Sequence, residues 1–265
     1  MDEIRQYNIL YSCYGEARRG HEPFVHEHAL GCQLSGETDF FTAGGVLTAT
    51  AGSIGLVKRN QLVKTQKRPG PEGKYMGISV LLDQESLRAY SHEHNVQATG
   101  IYTGPPVMAL KPDAFLKGYF QSLLPYFEQP EKLNVTLARL KTWEAIELLL
   151  RDAALRNLLF DFNEPHKIDL EAYMNRHFMY NVPLSQFARL TGRSLSTFKR
   201  DFVKIFGSTP EKWLQQRRLE QAHYLITRRK QRPTDVYLEV GFENLSHFST
   251  AFKKQYGVAP SMAVR

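Results

Sequence analysis

"SLSTFKRDFVKIFGSTP", residues 194–210, and "NLSHFSTAFKKQYGVAP", residues 244–260, are nearly the same phrase written twice, fifty residues apart. In register, Leu195, Ser196, Phe198, Phe202, Lys204, Gly207 and Pro210 recur as Leu245, Ser246, Phe248, Phe252, Lys254, Gly257 and Pro260, and Phe206 faces Tyr256. A period seen only twice is not a solenoid, which needs several stacked units to bury its core. Within each copy the apolar residues recur at spacings of three and four. Leu195, Phe198, Phe202 and Phe206, and likewise Leu245, Phe248, Phe252 and Tyr256, therefore form one buried helical stripe each. Ser194 and Asn244 suit the N-cap, Gly207 and Gly257 suit the left-handed position that ends a helix, and Pro210 and Pro260 are expected to open the next one.

What precedes each copy completes a unit. "PLSQFARLTG", 183–192, places Leu184, Phe187, Ala188 and Leu190 inward on a short helix and turns at Gly192; "TDVYLEVGFE", 234–243, does so with Val236, Leu238 and Val240 before Gly241. Short helix, glycine turn and longer helix make the helix-turn-helix pattern, here in two copies. Between them "PEKWLQQRRLEQAHYLITRR", 210–229, predicts one helix carrying Trp213, Leu214, Leu219, Ala222 and Leu225. A 20-residue helix spans roughly 30 Å at about 1.5 Å per residue. That nearly matches the roughly 34 Å between successive major grooves on one face of B-DNA.

Charge follows the same division. From His166 onward there are 17 Lys+Arg against 8 Asp+Glu, a balance of +9, whereas the first 165 residues carry 17 against 19. A basic terminal domain of this kind suits a polyanionic partner.

From Ile168 to Met262 the chain resembles the AraC/XylS family of bacterial transcription regulators, through "LSQFARLTGRSLSTFKRDFVKIFGSTPEKWLQQRRLEQA" and "YLEVGFENLSHFSTAFKKQYGVAPS". The resemblance implies a sequence-specific regulator, an activator, with double-stranded DNA and RNA polymerase as partners. It also implies control through an amino-terminal cupin-like domain.

With Phe198 and Phe202 inward, the opposite face of the first long helix presents Ser196, Lys199, Arg200 and Val203. Arg200 is the first candidate for base readout, because a guanidinium grips guanine O6 and N7 with two hydrogen bonds worth about 1–3 kcal/mol of discrimination. Ser246, Ser249 and Thr250 occupy the equivalent face of the second unit, with Lys253 beside them. That face carries less charge and is expected to give phosphate and shape contacts more than base readout. Ser194, Arg193, Arg217, Arg218, Asn244, Lys253 and Lys254 are the expected DNA-backbone contacts, Ser194 through the free N–H groups at its helix start.

Residues 1 to about 110 are rich in Gly and Thr, with apolar runs such as "GVLTATAG" and "YMGISVLL" broken by turns such as "RPGPEG". They read as short antiparallel strands in a sandwich or small barrel. Helices are expected over about 112–160. Pro112 should open the first, Pro125 should end or kink it, and a long helix follows over about 132–160. In that helix Leu133, Leu137, Leu140, Glu144 and Glu147 trace one stripe and Trp143, Ile146, Leu150 and Ala153 another. So broad an apolar face suits packing on the strands or, ahead of that, a homodimer. Residues 161–168 read as a linker, giving a regulatory and dimerisation domain over 1–160 and a DNA-binding domain over 169–265. The fold class is α+β: a cupin-like amino-terminal β-barrel or sandwich with adjoining helices, and an all-α double helix-turn-helix domain.

"GHEPFVHEH" begins like a metal-binding cupin phrase, with Gly20, His26 and His28, but Cys32 and Gln33 stand where a Glu ligand belongs and Gly55 where the later His belongs. Two imidazoles alone make a poor metal site, so no metal and no cofactor are expected. A small ligand would be lined by "HEHALGCQL" and "YMGISVLL"; whether the effector is a small molecule or a protein stays open. The layout of "FFTAGGVLTATAGSIGLVKRNQLVKTQKRPG" and "GISVLLDQESL" resembles the ExsA-type regulators, which implies control by a partner protein.

The competing classes are a cupin-type metalloenzyme, a methyl-accepting repair protein and a protein-interaction module without DNA binding. The broken ligand set argues against the first. Cys13 and Cys32 lack the basic neighbours that would activate a thiolate for the second, and they form neither a disulfide framework nor a CxxC pair. No catalytic residue is expected. No run approaches the roughly 20 apolar residues that span a bilayer, and "MDEIRQYNIL" is unlike a signal peptide, so a cytoplasmic protein without membrane contact is expected.

Overall fold

The computed structural model describes residues 3–19, 24–42, 45–162 and 167–263, in two compact units, Met1–Asn163 and Glu164–Arg265. Gly20 of the histidine phrase and residues 163–166 of the expected linker lie outside the described residues.

The first unit is built from alternating strands. They are β1 (Glu3–Gln6), β2 (Ile9–Tyr14), β3 (Arg18–Arg19), β4 (Phe24–Val25), β5 (His28–Ser35), β6 (Glu37–Thr42), β7 (Gly45–Ala49), β8 (Ile54–Val57), β9 (Gln61–Leu62), β10 (Lys64–Arg68), β11 (Tyr75–Leu82) and β12 (Val107–Leu110). One sheet runs β1-β2-β11-β5-β8-β12, a second β3-β10-β6-β7, and β4 pairs with β9. The central strand β11 shows the cause: Ile78, Val80 and Leu82 are buried, while Gly77, Ser79 and Leu81 between them are only half-buried. The first set joins Ile9, Leu30 and Leu56 under the helices. Residues of the second set face the other sheet across a cavity of about 860 Å³, lined also by Ala29, Gly31, Thr48 and Thr65. The β5–β6 turn requires glycine, since Gly36 has φ +78° and a Cβ there would lie 2.3 Å from the Arg68 carbonyl oxygen.

Helices of this unit are α1 (Gln84–His94), α2 (Ala114–Leu123), α3 (Pro125–Glu128), α4 (Val135–Leu150) and α5 (Ala153–Leu159). Three of them correct the sequence reading. An eleven-residue helix, α1, sits inside the stretch expected to be strands; Asp83 caps it by accepting from the Ser86 N–H, and Leu87 and Tyr90 are buried. Pro112 does not open α2, because Asp113 takes the N-cap and accepts from the Leu116 N–H at 2.8 Å. The long helix over 132–160 is two helices: Asp152 accepts from the Ala154 N–H at 2.9 Å and starts a new one. The buried side of α4 is Ala138, Thr142, Ala145, Ile146 and Leu149, while Leu140 and Val135 are exposed.

The second unit contains α6 (Leu170–His177), α7 (Leu184–Leu190), α8 (Leu195–Phe206), α9 (Pro210–Thr227), α10 (Pro233–Glu239) and α11 (Leu245–Tyr256). The repeated phrase gives two twelve-residue helices, each capped by its Ser or Asn and closed by a left-handed glycine, Gly207 at φ 63° and Gly257 at φ 78°. Phe198, Phe202, Phe248 and Phe252 are fully buried. Leu195 and Leu245, expected in the same stripe, are instead 42% and 37% exposed, because the first helical turn of each copy projects beyond the core. Leu238, expected inward, is also exposed; its neighbour Tyr237 packs on the core in its place. Pro210 opens α9 as the sequence implies, but Pro260 leads only into a turn.

Two outcomes follow from this packing. Phe248→Ala should destabilise the chain by about 3–5 kcal/mol, from lost burial and a cavity. Leu238→Ala, at an exposed site, should stay within about 0.5 kcal/mol of the parent in denaturant titrations. In the first unit buried Asp39 pairs with Arg68 and accepts from Thr48 Oγ1 at 2.7 Å, and the bond to Arg68 holds its carboxyl below the usual range. A depressed carboxylate stabilises the fold above its unfolded pKa and loses that effect as pH falls through the folded value. Asp39→Asn should therefore lower the melting temperature at neutral pH, and its difference from the parent should shrink as the solution is acidified below the ordinary Asp range.

Candidate nucleic-acid interface

The surface of α8 is fixed by its inner side. With Phe198 and Phe202 inward, Ser196, Lys199, Arg200 and Val203 all lie exposed along one side. Arg200 reaches no firm partner: its Nε is 3.8 Å from Asp201 Oδ1. Lys199 Nζ pairs with Glu211 Oε1 of α9 at 3.2 Å, both side chains half in solvent. Such exposed pairs contribute about 0–1 kcal/mol, so either cation can leave for a phosphate or a base with little loss.

On α11, Ser246 and Thr250 are exposed and Ser249 is half-buried. Thr250 Oγ1 donates to the Ser246 carbonyl at 2.9 Å, which leaves the hydroxyl oxygen to accept. Lys253 and Lys254 are exposed in the last turn. His247, which the sequence reading passed over, is exposed in the first turn beside the Phe242 ring at 5.7 Å. Its signal was positional, since it stands beside Ser246 at the start of α11.

Both caps are engaged. Ser194 Oγ accepts from the Thr197 N–H at 3.2 Å, and Asn244 Oδ1 accepts from the N–H groups of Ser246 and His247 at 2.7 and 3.1 Å.

Two of the expected backbone contacts, Arg193 and Arg218, turn inward onto main-chain carbonyls. Arg193 is almost wholly buried; it pairs with Asp201 at 3.2 Å and donates to the carbonyls of Ile168 and Thr191 at 3.0 and 2.7 Å. Asp201, bound also to Lys167 at 3.4 Å, is held below the usual carboxylate range by Arg193 first and Lys167 second. Arg218 donates to the carbonyls of Phe178, Tyr180 and Gly241 at 2.8, 2.8 and 3.1 Å. Burial pushes it down to about 10, so it remains cationic at neutral pH. Each guanidinium thus commits three of its five N–H donors inside the fold. Arg217 is partly available, pairing with Glu220 at 2.9 Å and lying over the Phe178 ring at 5.3 Å. The sequence reading also missed Arg228, Arg229, Lys230 and Arg232, all exposed at the end of α9 and the start of α10, although the charge run was plain in the sequence.

α8 and α11 are joined by α9, whose 18 residues span about 27 Å at about 1.5 Å each. Phe202 and Phe206 meet Trp213 at 5.5 and 4.6 Å between ring centroids, and Phe252 and Tyr256 meet His223 at 6.0 and 4.4 Å. One connector thus holds both copies.

The first unit offers no comparable chemistry. His28 is buried, its Nδ1 accepts from the Arg59 N–H at 3.3 Å, and burial lowers its pKa to about 3, leaving it neutral. His26 packs edge-on against Phe24. Among the described residues no three His, Cys, Asp or Glu side chains gather as metal ligands. Cys13 and Cys32 are free thiols, and burial raises Cys32 to about 11, away from thiolate chemistry. No helix among the described residues is long and apolar enough to cross a membrane.

Paired helix-turn-helix units on a shared connector define a class of nucleic-acid-binding domain. Residues 187–265 match the helix-turn-helix domain family, and residues 28–159 match the ExsA N-terminal regulatory domain. The chain is 30% identical over 168 residues to the virulence regulon transcriptional activator VirF of Yersinia enterocolitica, covering 61% of this chain and 60% of that protein. It is 31% identical over 107 residues to the HTH-type transcriptional regulator ExsA of Pseudomonas aeruginosa, covering 40% and 38%. The matched region thus spans about 60% or less of these relatives' length. An apo ToxT variant from Vibrio cholerae aligns over 98% of this chain and 97% of its own at 11% identity, with a TM-score of 0.48. The two matched regions are those of AraC/XylS-type transcription regulators, a carboxyl-terminal helix-turn-helix domain and an ExsA-type amino-terminal regulatory domain.

Because the caps order the first turn of each reading helix, Ser194→Ala and Asn244→Ala should each lower stability by about 1 kcal/mol in thermal unfolding, with Gly in the same places losing less.

Proposed function

We propose that this chain is a sequence-specific DNA-binding regulator, an activator, that seats α8 and α11 in successive major grooves of one duplex. The observation that carries the reading is the pair of matched helices, each with its phenylalanines buried and its polar side exposed, held by one connector about 27 Å long. In this reading Arg200 and Lys199 recognise base edges with Ser196, while Val203 offers an apolar contact to thymine methyls. Exposed Leu195 and Leu245, at matching positions, extend that apolar contact. Ser246, His247, Ser249 and Thr250 present small or neutral groups on the second helix, suited to a less stringent groove contact. Phosphates fall to Lys253, Lys254, Arg217 and the Arg228–Arg232 run, together with the capped helix starts at Ser194 and Asn244.

The first unit supplies control. Its likeness to the ExsA N-terminal regulatory domain supports regulation by a partner protein, and exposed Val135 and Leu140 on α4 support a homodimer. RNA polymerase is the expected partner of an activator, and the cytoplasm its compartment.

Equilibrium binding to duplexes selected from a random-sequence pool tests the reading. Arg200→Ala should lose about 1–3 kcal/mol on the selected site and little on mismatched duplexes. Lys253→Ala and Arg229→Ala should weaken binding on all duplexes alike and each flatten the salt dependence by about one ion. Equal losses from Arg200→Ala on every sequence would reject base readout, and affinity indifferent to salt would reject DNA as the ligand.

A further inference from the structure

Arg218 occupies an unusual place for a cation in a basic DNA-binding domain. It projects from the middle of α9, and its donors reach three backbone carbonyls and no carboxylate: Phe178 and Tyr180 on one side, Gly241 on the other. Phe178 and Tyr180 belong to the turn that leads from α6 into the first helix-turn-helix unit. Gly241 is the turn of the second unit. The two turns are in direct contact there. Gly241 has φ +95°, and a Cβ at that position would lie 2.6 Å from the Met179 carbonyl oxygen and 3.1 Å from Arg218 Nε. At the rim a second bond crosses the same seam, Asn181 Nδ2 donating to Glu243 Oε1 at 2.6 Å.

A connecting helix by itself fixes the distance between two bodies packed on it, but each body can still rock about its own aromatic contacts. Three charge-assisted bonds from one planar, rigid fork remove that freedom. We propose that Arg218, with Asn181 and Glu243 outside it, is a positioning clamp that locks the segment entering the first helix-turn-helix unit to the internal turn of the second and so restricts the chain to sites whose two halves stand at one separation. This rests on the two-groove reading and adds to it a spacing filter. The physical basis is effective concentration: once α8 is seated, a locked α11 meets its groove without a search, whereas an unlocked one gains tolerance for other separations and loses affinity at the matched one.

The experiment uses the full chain. The parent protein first selects its duplex from a random-sequence pool. Affinities are then measured for that duplex, for the same duplex with one, two or three base pairs inserted between its halves, and for a duplex with one half scrambled. For Arg218→Gln the structure leads us to expect about a tenfold loss on the matched duplex, a flattened dependence on insertions, and unchanged affinity for the half-scrambled duplex. Asn181→Ala, at the exposed outer bond, should move the profile the same way by a smaller factor, and it provides the measurement if Arg218→Gln does not fold. Arg218→Lys, which keeps the charge without the fork, should resemble Gln more than the parent. A variant that keeps the parent's sensitivity to insertions, or loses affinity for the half-scrambled duplex in equal proportion, overturns the clamp alone. A parent chain that selects a single half-site overturns the two-groove reading and the clamp with it.

Discussion

Two aromatic stripes converge on α9 from its two ends, and the arrangement of the second unit depends on that convergence. Phe202 and Phe206 close on Trp213, while Phe252 and Tyr256 close on His223, ten residues further along. Ten residues at about 100° each turn the helix to a different side, so α9 presents one face to each copy and cannot keep a single apolar stripe. Leu214 and Leu219, Ala222 and Leu225 are buried on more than one side for that reason. Each aromatic pair adds about 0.5–1.5 kcal/mol beyond its burial. More important than the sum is its geometry, because edge-on and stacked rings fix the angle at which α8 and α11 leave the connector.

That angle determines which residues remain exposed. Once Phe198 and Phe202 are committed, helical periodicity exposes Lys199, Arg200 and Val203, and the same logic exposes Ser246, Thr250 and Lys253 fifty residues later. The copies agree on the inner face and differ on the outer one. A shared core with divergent surfaces lets the two helices differ in surface chemistry while remaining alike in packing. The ion pairs on the exposed side are weak and solvent-screened, so they hold Lys199 and Arg200 near the surface without binding them to it.

Much of this was legible because local signals agreed. Caps, buried phenylalanines and left-handed glycines all stand where the repeated phrase places them. What escaped was decided by partners far along the chain. Arg193 and Arg218 look like surface cations in sequence, and only the fold brings the Ile168, Phe178, Tyr180 and Gly241 carbonyls to them. Leu238 has the hydrophobicity of a core residue, but Val236 and Val240 fix the phase of α10 and turn it outward. Asp83, Asp113 and Asp152 are short-range signals that were available and outweighed: each caps a helix whose start was misplaced or missed. A strand-rich context hid α1, and continuous apolar periodicity hid the break at Asp152.

The two buried arginines share a physical cause. Every helix leaves carbonyls unpaired at its carboxyl end, and short helices leave many for their length. Phe178 is the C-cap of α6, Thr191 the C-cap of α7, and Gly241 follows the C-cap of α10; all three carbonyls receive a guanidinium bond. Cations at helix carboxyl ends are favoured by the dipole as well as by the free acceptors. An unpaired buried carbonyl would be unfavourable by about 1–3 kcal/mol. Arginine solves the problem with several donors in one plane. The positive charge of the second unit therefore has two places that composition cannot separate: most of it is exposed, and a smaller part, Arg193 and Arg218, is turned inward onto the carbonyls at helix ends.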